Sequence, residues 1–440
     1  MSAGPHELGR NYGYVWSAAG CSNLGDGIVK IALPLLAVQL TDSPAAVAGV
    51  TVASYLPWIL LSLPAGALAD RLDRRNAMRA VNVARAAVVG GLAALAANDL
   101  GGLAMVYFAA FALGTGETLF DTSAQSILPA IVDRGLARPE GGFRASRSAR
   151  RSEAPPKPRT SLTKANSRLF ALEQATNEFI GPPLGGWLTG LGIAFSLVTS
   201  SGLFVVAAVL LSMLTGRYRM SRAADTTMRS EIGEGIRFLY GNMLLRTTVA
   251  IVAILNFVGT ATLAVLPLYA VKPGPLNLSE FGYGLLLLGF GLGGLIGSTV
   301  AGRLQRRFGR ARVLVGSIAC SSVWMVALAL TSNAVAIALA MVVAGVGIMS
   351  LNVIGITFRQ LITPARLLGR VVAAHRVVVL GVLPLGAAAG GAIAELASFR
   401  FLFGCCGALG LATMIPAAHF WRDEVMDAEE AKAFSDNDGL

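Results

Sequence analysis

Residues 66–75 read Gly66-Ala67-Leu68-Ala69-Asp70-Arg71-Leu72-Asp73-Arg74-Arg75, a charged decapeptide between two apolar runs, Val47 to Leu68 and Ala77 to Ala97. Each run is about the length that crosses a ~30 Å hydrocarbon core, so the decapeptide reads as a tight turn between two membrane-crossing helices. A shorter copy, Gly302-Arg303-Leu304-Gln305-Arg306-Arg307, follows 232 residues later. A charged turn repeated at half-chain distance points to two similar halves, an arrangement that builds transporters around a central site.

The rest of the chain fits that reading. Of 440 residues 54% are hydrophobic and 14% charged, which excludes a soluble enzyme and leaves apolar sequence for about 12 transmembrane helices. The runs expected to cross are Trp16–Leu40, Val47–Leu68, Ala77–Ala97, Leu103–Phe120, Phe170–Thr189 and Phe195–Leu214, then Thr247–Ala270, Tyr283–Ala301, Val313–Leu330, Ala334–Thr357, Val371–Ala394 and Phe401–Phe420. The expected organisation is an all-α polytopic protein with a six-helix bundle over 1–214, an amphipathic linker over 215–246, a second six-helix bundle over 247–421 and an acidic tail over 422–440. In the linker, Met228, Ile232, Ile236 and Tyr240 recur every four residues, which is one face of a helix. The first run lacks a small-residue cleavage site and is expected to stay as a span.

The net charge of +11 raises the possibility of nucleic-acid binding, but the positions of the basic residues account for it otherwise. Connections after spans 2, 4, 6, 8 and 10 hold 27 lysines and arginines, against Lys272 and Arg400 on the opposite side. By the positive-inside rule both termini are cytoplasmic in a bacterial inner membrane. No nucleic-acid partner is expected. Cys21, Cys320, Cys405 and Cys406 lie in apolar stretches, His6, His375 and His419 are far apart, and no glycine loop of the ATP-binding kind precedes a lysine. No metal, cofactor or enzymatic activity is expected.

Further echoes locate an insertion. Gln125–Pro129 matches Gln360–Pro364 at an offset of 235, whereas the paired glycines of Pro182-Pro183-Leu184-Gly185-Gly186 match those ending at Gly391 at an offset of 205. The difference of 30 places extra residues in the first half. Residues 135–161, rich in Arg, Ser, Pro and Gly, have the composition of a disordered cytoplasmic loop. A regulatory or anionic-lipid-binding tract and a tolerated insertion are both open there.

With these motifs in view, the chain resembles the major facilitator superfamily over nearly its whole length. Residues 66–75 resemble the superfamily's loop between helices 2 and 3, with Asp73 where that loop carries glycine. Gly181-Pro182-Pro183-Leu184-Gly185-Gly186 resembles the helix 5 motif found mainly in exporters, with Asn177 at an upstream glycine position. Glu117–Asp121, Thr163–Asn166 and Pro364–Val371 resemble the drug:proton antiporter branch that includes macrolide exporters and the enterobactin exporter. The resemblance implies a gating latch of Gly66, Asp70, Arg71 and Arg74. In it Asp70 faces the start of helix 11 near Gly369 and Arg370, and Arg74 pairs with Asp121.

Ionisable groups inside spans are costly and are functional candidates by default. Asp26 and Lys30 lie one turn apart on span 1. They support two readings, a static bridge to each other or a proton-coupling carboxylate with a nearby cation. Glu117 and Glu178 are further coupling or cavity candidates, Arg376 lies near the start of helix 11, and Arg85 reads as structural because helix 3 is peripheral in the resembled fold. In helix 5, Gly181, Gly185 and Gly186 permit close approach of a neighbour, and Pro182 interrupts hydrogen bonding.

The expectation is a monomeric secondary exporter of a small amphipathic compound, exchanging it for protons across a lipid bilayer. A siderophore or metabolite exporter, and a non-transporting sensor or scaffold on the same fold, are the alternatives.

Overall fold

The computed structural model describes residues 10–71, 73–98, 100–137, 158–215, 228–364 and 367–438. The chain forms α1 (Arg10–Leu40), α2 (Pro44–Arg71), α3 (Arg74–Ala97), α4 (Leu103–Ala137) and α5 (Pro158–Gln174). A π-helical segment, Ala175–Ile180, joins α5 to α6 (Gly181–Leu191), and α7 (Ile193–Ser212) follows. The second half holds α8 (Met228–Gly241), α9 (Met243–Ala270), α10 (Glu280–Phe308), α11 (Arg310–Leu330), α12 (Ala334–Ile362), α13 (Leu368–Gly381), α14 (Leu383–Leu396), α15 (Phe399–Ala412), α16 (Met414–Phe420) and α17 (Asp423–Asp438). Among the described residues the β content is one isolated bridge, Val271 to Leu278.

Among the described residues eleven helices are long and apolar enough to span a bilayer, α13 with α14 and α15 with α16 each counting as one. The twelfth expected crossing is the composite of α5, the π segment and α6, whose first part is too polar to be counted with them. It begins at Pro158, earlier than the expected Phe170. The expected insertion is helical at both ends, since α4 reaches Ala137 and α5 starts at Pro158, and its middle, 138–157, lies outside the described residues.

Helix starts follow from capping chemistry. Asp73, Asn242, Ser279, Asn333 and Ser398 each accept a backbone N–H of the first turn of α3, α9, α10, α12 and α15. Between α10 and α11 the chain turns at Gly309, whose φ of +87° suits glycine. Large apolar residues face outward, including Phe108, Phe195, Val198, Leu339 and Ile415, as lipid-facing surfaces require.

Four apolar cores organise the packing. Two lie at the end that carries both termini and belong to one half each: Tyr12, Phe120, Ile127 and Leu211 in the first, and Leu239, Phe358, Val371 and Trp421 in the second. A third, including Val47, Val89 and Phe204, fills the outer part of the first half. The fourth joins the halves, setting Ile31, Leu35 and Ala48 against Val265, Tyr269 and Ala387. It lies at the opposite end, where the Ser43 hydroxyl donates to Glu395 Oε2 at 2.8 Å and the Ala45 amide donates to the same oxygen at 3.2 Å. The halves therefore share a core away from the termini and keep separate cores toward them.

The linker and tail are more structured than a surface strap and a free acidic end. Ile236 and Leu239 of α8 pack into the second half's core, and α8 ends at Gly241, just before the Asn242 cap of α9. In α17 the Asp423 carboxylate accepts the Ala311 amide at 2.8 Å, Glu430 accepts from Arg310 at 3.0 Å and Glu429 accepts from Asn242 at 2.7 Å.

Candidate functional site

The middle of the first half is built around a buried ion pair. On α3, Arg74, Met78, Asn82, Arg85, Val89 and Leu92 recur at three- and four-residue spacing and form its buried stripe. That stripe carries Arg85 inward to Asp26 of α1, with the two side chains 2% and 12% exposed. Arg85 Nη1 also donates to Ser22 Oγ at 3.2 Å, Ser22 donates to Asn82 Oδ1 at 3.1 Å, and the guanidinium sits 4.5 Å from the centre of the Phe204 ring on α7. Glycine at 116 makes room for this on α4, because a Cβ there would lie 2.7 Å from Arg85 Cδ. Asp26 thus pairs with Arg85, with Lys30 within electrostatic reach, and Arg85 belongs to the charged centre although α3 itself packs against α4 and α7. Lys30 Nζ lies 3.4 Å from Asn177 Oδ1 on the π segment.

The carboxylates gather. Asp26 lies within electrostatic reach of Glu117, Arg85 and Lys30, and Asp121 within reach of Glu117, Glu173, Asp26 and Arg376. Four acids from α1, α4 and α5 thus share a region with Arg85, Lys30 and Arg376. Removing one partner from a buried pair such as Asp26–Arg85 costs about 3–5 kcal/mol, whereas the intact pair is near break-even against apolar packing. The pair is consequently a poor source of stability and a good place to store a response to protonation.

Arg376 lies within electrostatic reach of Asp121. It comes from α13, in the other half, and its guanidinium lies 5.0 Å from the centre of the Trp58 ring on α2. Arg74 is buried at the start of α3. Asp73, which departs from the resembled loop, caps α3 by accepting the Asn76 amide at 3.3 Å, and Arg75 donates to the Leu211 and Ser212 carbonyls at 3.2 and 2.6 Å. Gly66 lies in α2, and the side chains of Asp70, Arg71 and Glu178 lie outside the described residues. At the start of α13, Arg370 pairs with Glu234 of α8, and Gly235 brings the α8 backbone against the Arg370 carbonyl. Gly369 lies in the same turn.

The helix 5 glycines act at two surfaces. A Cβ on Gly181 would sit 2.6 Å from Gly27 Cα, and one on Gly185 2.9 Å from the Ile28 carbonyl oxygen, so both lie flat against α1 beside Asp26. Gly186 faces the other half, where an added Cβ would sit 2.9 Å from Gly284 Cα of α10. Pro182 and Pro183 stand in the first turn of α6 directly after the π segment, which links a relaxed hydrogen-bond ladder to the missing donors. Among the described residues no group of three His, Cys, Asp or Glu side chains is placed to hold a metal ion.

A family model described as transmembrane secretion effector matches residues 9–137 and 162–438. The chain belongs to this transmembrane secretion effector family of the major facilitator superfamily. Membership makes it a multi-pass membrane transporter protein and not an enzyme. The family member is 26% identical over 397 residues to the multidrug efflux pump Tap of Mycolicibacterium fortuitum, covering 88% of this chain and 90% of that one. Its fold is that of solved transporters: a bacterial homologue of the iron transporter ferroportin in an inward-facing state superposes with a TM-score of 0.65 at 17% identity, covering 96% of this chain and 98% of that one. The nucleoside transporter NupG superposes with a TM-score of 0.65 at 11% identity over 95% and 100% of the two chains. The sequence reading missed Asp26–Arg85, although the polar Asn82 and Arg85 on an otherwise apolar stripe were its visible signal.

Proposed function

We propose that this transmembrane secretion effector protein exports a small amphipathic compound in exchange for protons, with Asp26 as the coupling carboxylate. The observation that carries the reading is the ion pair of Asp26 with Arg85, buried in the middle of the span and surrounded by Glu117, Asp121 and Lys30. Protonating Asp26 removes its charge and releases Arg85 to Ser22 and the face of Phe204, while Gly27 and Gly181 carry the change to helix 5 through direct backbone contact. Helix 5 in turn touches the other half at Gly284, one of the seams that must part for alternating access. Glu117 and Glu178 are the accessory carboxylates of this scheme. The likeness to an efflux pump supports the direction, and the excess of arginine on the terminal side supports cytoplasmic termini in a bacterial inner membrane, with twelve crossings in all. The rocking units are 1–214 and 247–421, and α8 and α17 ride with the second.

The test uses purified protein in liposomes with an imposed proton gradient and a panel of lipophilic cations, macrolides and siderophores. Wild type is expected to give compound-dependent proton flux that Asp26→Asn abolishes, while Asp26→Asn still binds compound. Undiminished coupled flux in Asp26→Asn removes Asp26 from the mechanism, and binding without flux across the panel in wild type favours a sensor.

A further inference from the structure

The second half contains a cavity, apolar over most of its wall, that the coupling scheme does not use. It has a volume of about 100 Å³ and is bounded by Thr248 of α9, Asn352, Phe358 and Arg359 of α12, His375 of α13, and Trp421 just after α16. By liquid-water volume that is room for roughly three waters, enough for one compact polar group. Its polar lining is dominated by donors. The Arg359 Nε is buried without a hydrogen-bond acceptor, and so is the Nε1 of Trp421, a residue only 2% exposed. Arg359 lies close enough for its charge to act on His375. Thr248 already gives its hydroxyl hydrogen to the Leu244 carbonyl at 2.8 Å.

Among the described residues the nearby acids do not answer these donors. Asp423, two residues beyond Trp421, is committed to the Ala311 amide, Glu430 to Arg310, and Glu429 to Asn242. Arg310, whose guanidinium lies 5.3 Å from the centre of the Phe358 ring, is thus already neutralised. What remains is the Arg359 Nε–H and an indole N–H, both lacking acceptors, on side chains that line one cavity. Arginine offers a planar fork matched to oxyanions, and an unanswered buried donor is unfavourable until an acceptor reaches it. Arg359 lies three residues from the end of α12, a span-length helix, and so near one of its two ends rather than its middle.

We propose that this cavity is a binding site for one oxyanion, with Arg359 as its charge partner and the Trp421 indole N–H as its second donor. The oxyanion is supplied either by an anionic lipid headgroup entering from the membrane surface or by a free phosphate-like solute. Full-length protein in a non-ionic detergent is titrated with phosphatidylglycerol, with phosphatidylcholine as the neutral control and bound lipid counted by native mass spectrometry. A parallel arm titrates inorganic phosphate and follows the thermal midpoint. Because a charge-assisted hydrogen bond is lost, Arg359→Gln is expected to weaken binding about tenfold or more, and Trp421→Phe, which keeps the ring and removes the donor, about three- to tenfold. A response confined to phosphatidylglycerol assigns the lipid as source, and a response to inorganic phosphate assigns the solute. Monodisperse elution of both variants guards against misfolding. Equal binding by wild type and Trp421→Phe, or no response of wild type to either probe, overturns the proposal.

Discussion

A guanidinium that is 2% exposed has three partners of different kinds: the Asp26 carboxylate, the Ser22 hydroxyl and the Phe204 ring. This predicts an asymmetric mutant cycle. Arg85→Gln alone strands a buried carboxylate and is expected to destabilise the protein by about 3–5 kcal/mol, while adding Asp26→Asn to it recovers more than half of that loss. Unfolding in a mixed-detergent titration measures both, and strictly additive losses would show that the two side chains are not coupled. The same residues mark what the sequence could and could not reveal. Asp26 was legible as a candidate because a carboxylate in a span is rare enough to need a reason. Its partner was not, because Lys30 one turn away satisfies every local rule, and preferring Arg85 requires knowing that α3, packed on α4 and α7, points its Asn82–Arg85 face at α1. Arg376 was a candidate, but its surroundings stayed hidden for a similar reason: its neighbours Trp58 and Asp121 come from helices more than 250 residues earlier in the chain.

At the scale of helices, helix 5 is divided into a straight start, a loosened π turn and a tight α6 that begins with two prolines. Gly181 lies where α6 meets α1 with no space for a side chain, whereas a Cβ on Gly190 would find its first neighbour only at 3.9 Å. Gly181→Ala is therefore expected to cost about 1–3 kcal/mol in stability and to impair transport, and Gly190→Ala to change neither appreciably. Thermal unfolding and liposome flux compare the pair, and equal tolerance at both positions would count against backbone contact as the function of the motif. The motif was readable as close packing from its small residues. Which glycine faces which helix was not, since that depends on the extra residue per turn that the π segment adds and on the resulting rotation of everything after it. Helix starts at Asp73, Asn333 and Ser398 were accessible to capping rules. The docking of α8 on α13 was hidden, because amphipathic spacing identifies an apolar face without naming the surface it meets.

For the whole molecule, the repeat, the apolar runs and the arginine pattern made two halves and a membrane topology legible, because those signals are compositional and accumulate over 440 residues. The conformation was not legible, since both access states share one sequence and one set of spans. Its signature is the core that joins the halves at the sealed end, reinforced by Ser43 and Glu395. With the four native cysteines replaced, Ser43→Cys and Glu395→Cys joined by a short thiol-specific cross-linker are expected to stop transport, and reduction of the linker to restore it. Transport that continues with the bridge intact would mean that this end need not part.

Apart from its apolar core, the sealed end is held by few polar contacts. Gly391 lies bare against Ala45 and Ala48, Gly186 against Gly284, and one carboxylate supplies the polar tie at Ser43 and Ala45. Few hydrogen bonds are lost when such surfaces separate, so the resting ratio of the two orientations is decided by small energies, and about 1.4 kcal/mol is enough to change it tenfold. A single added methyl group on one of these glycines thus acts as a dial on occupancy: without touching substrate or proton, it resets how long the molecule waits on each side of the membrane.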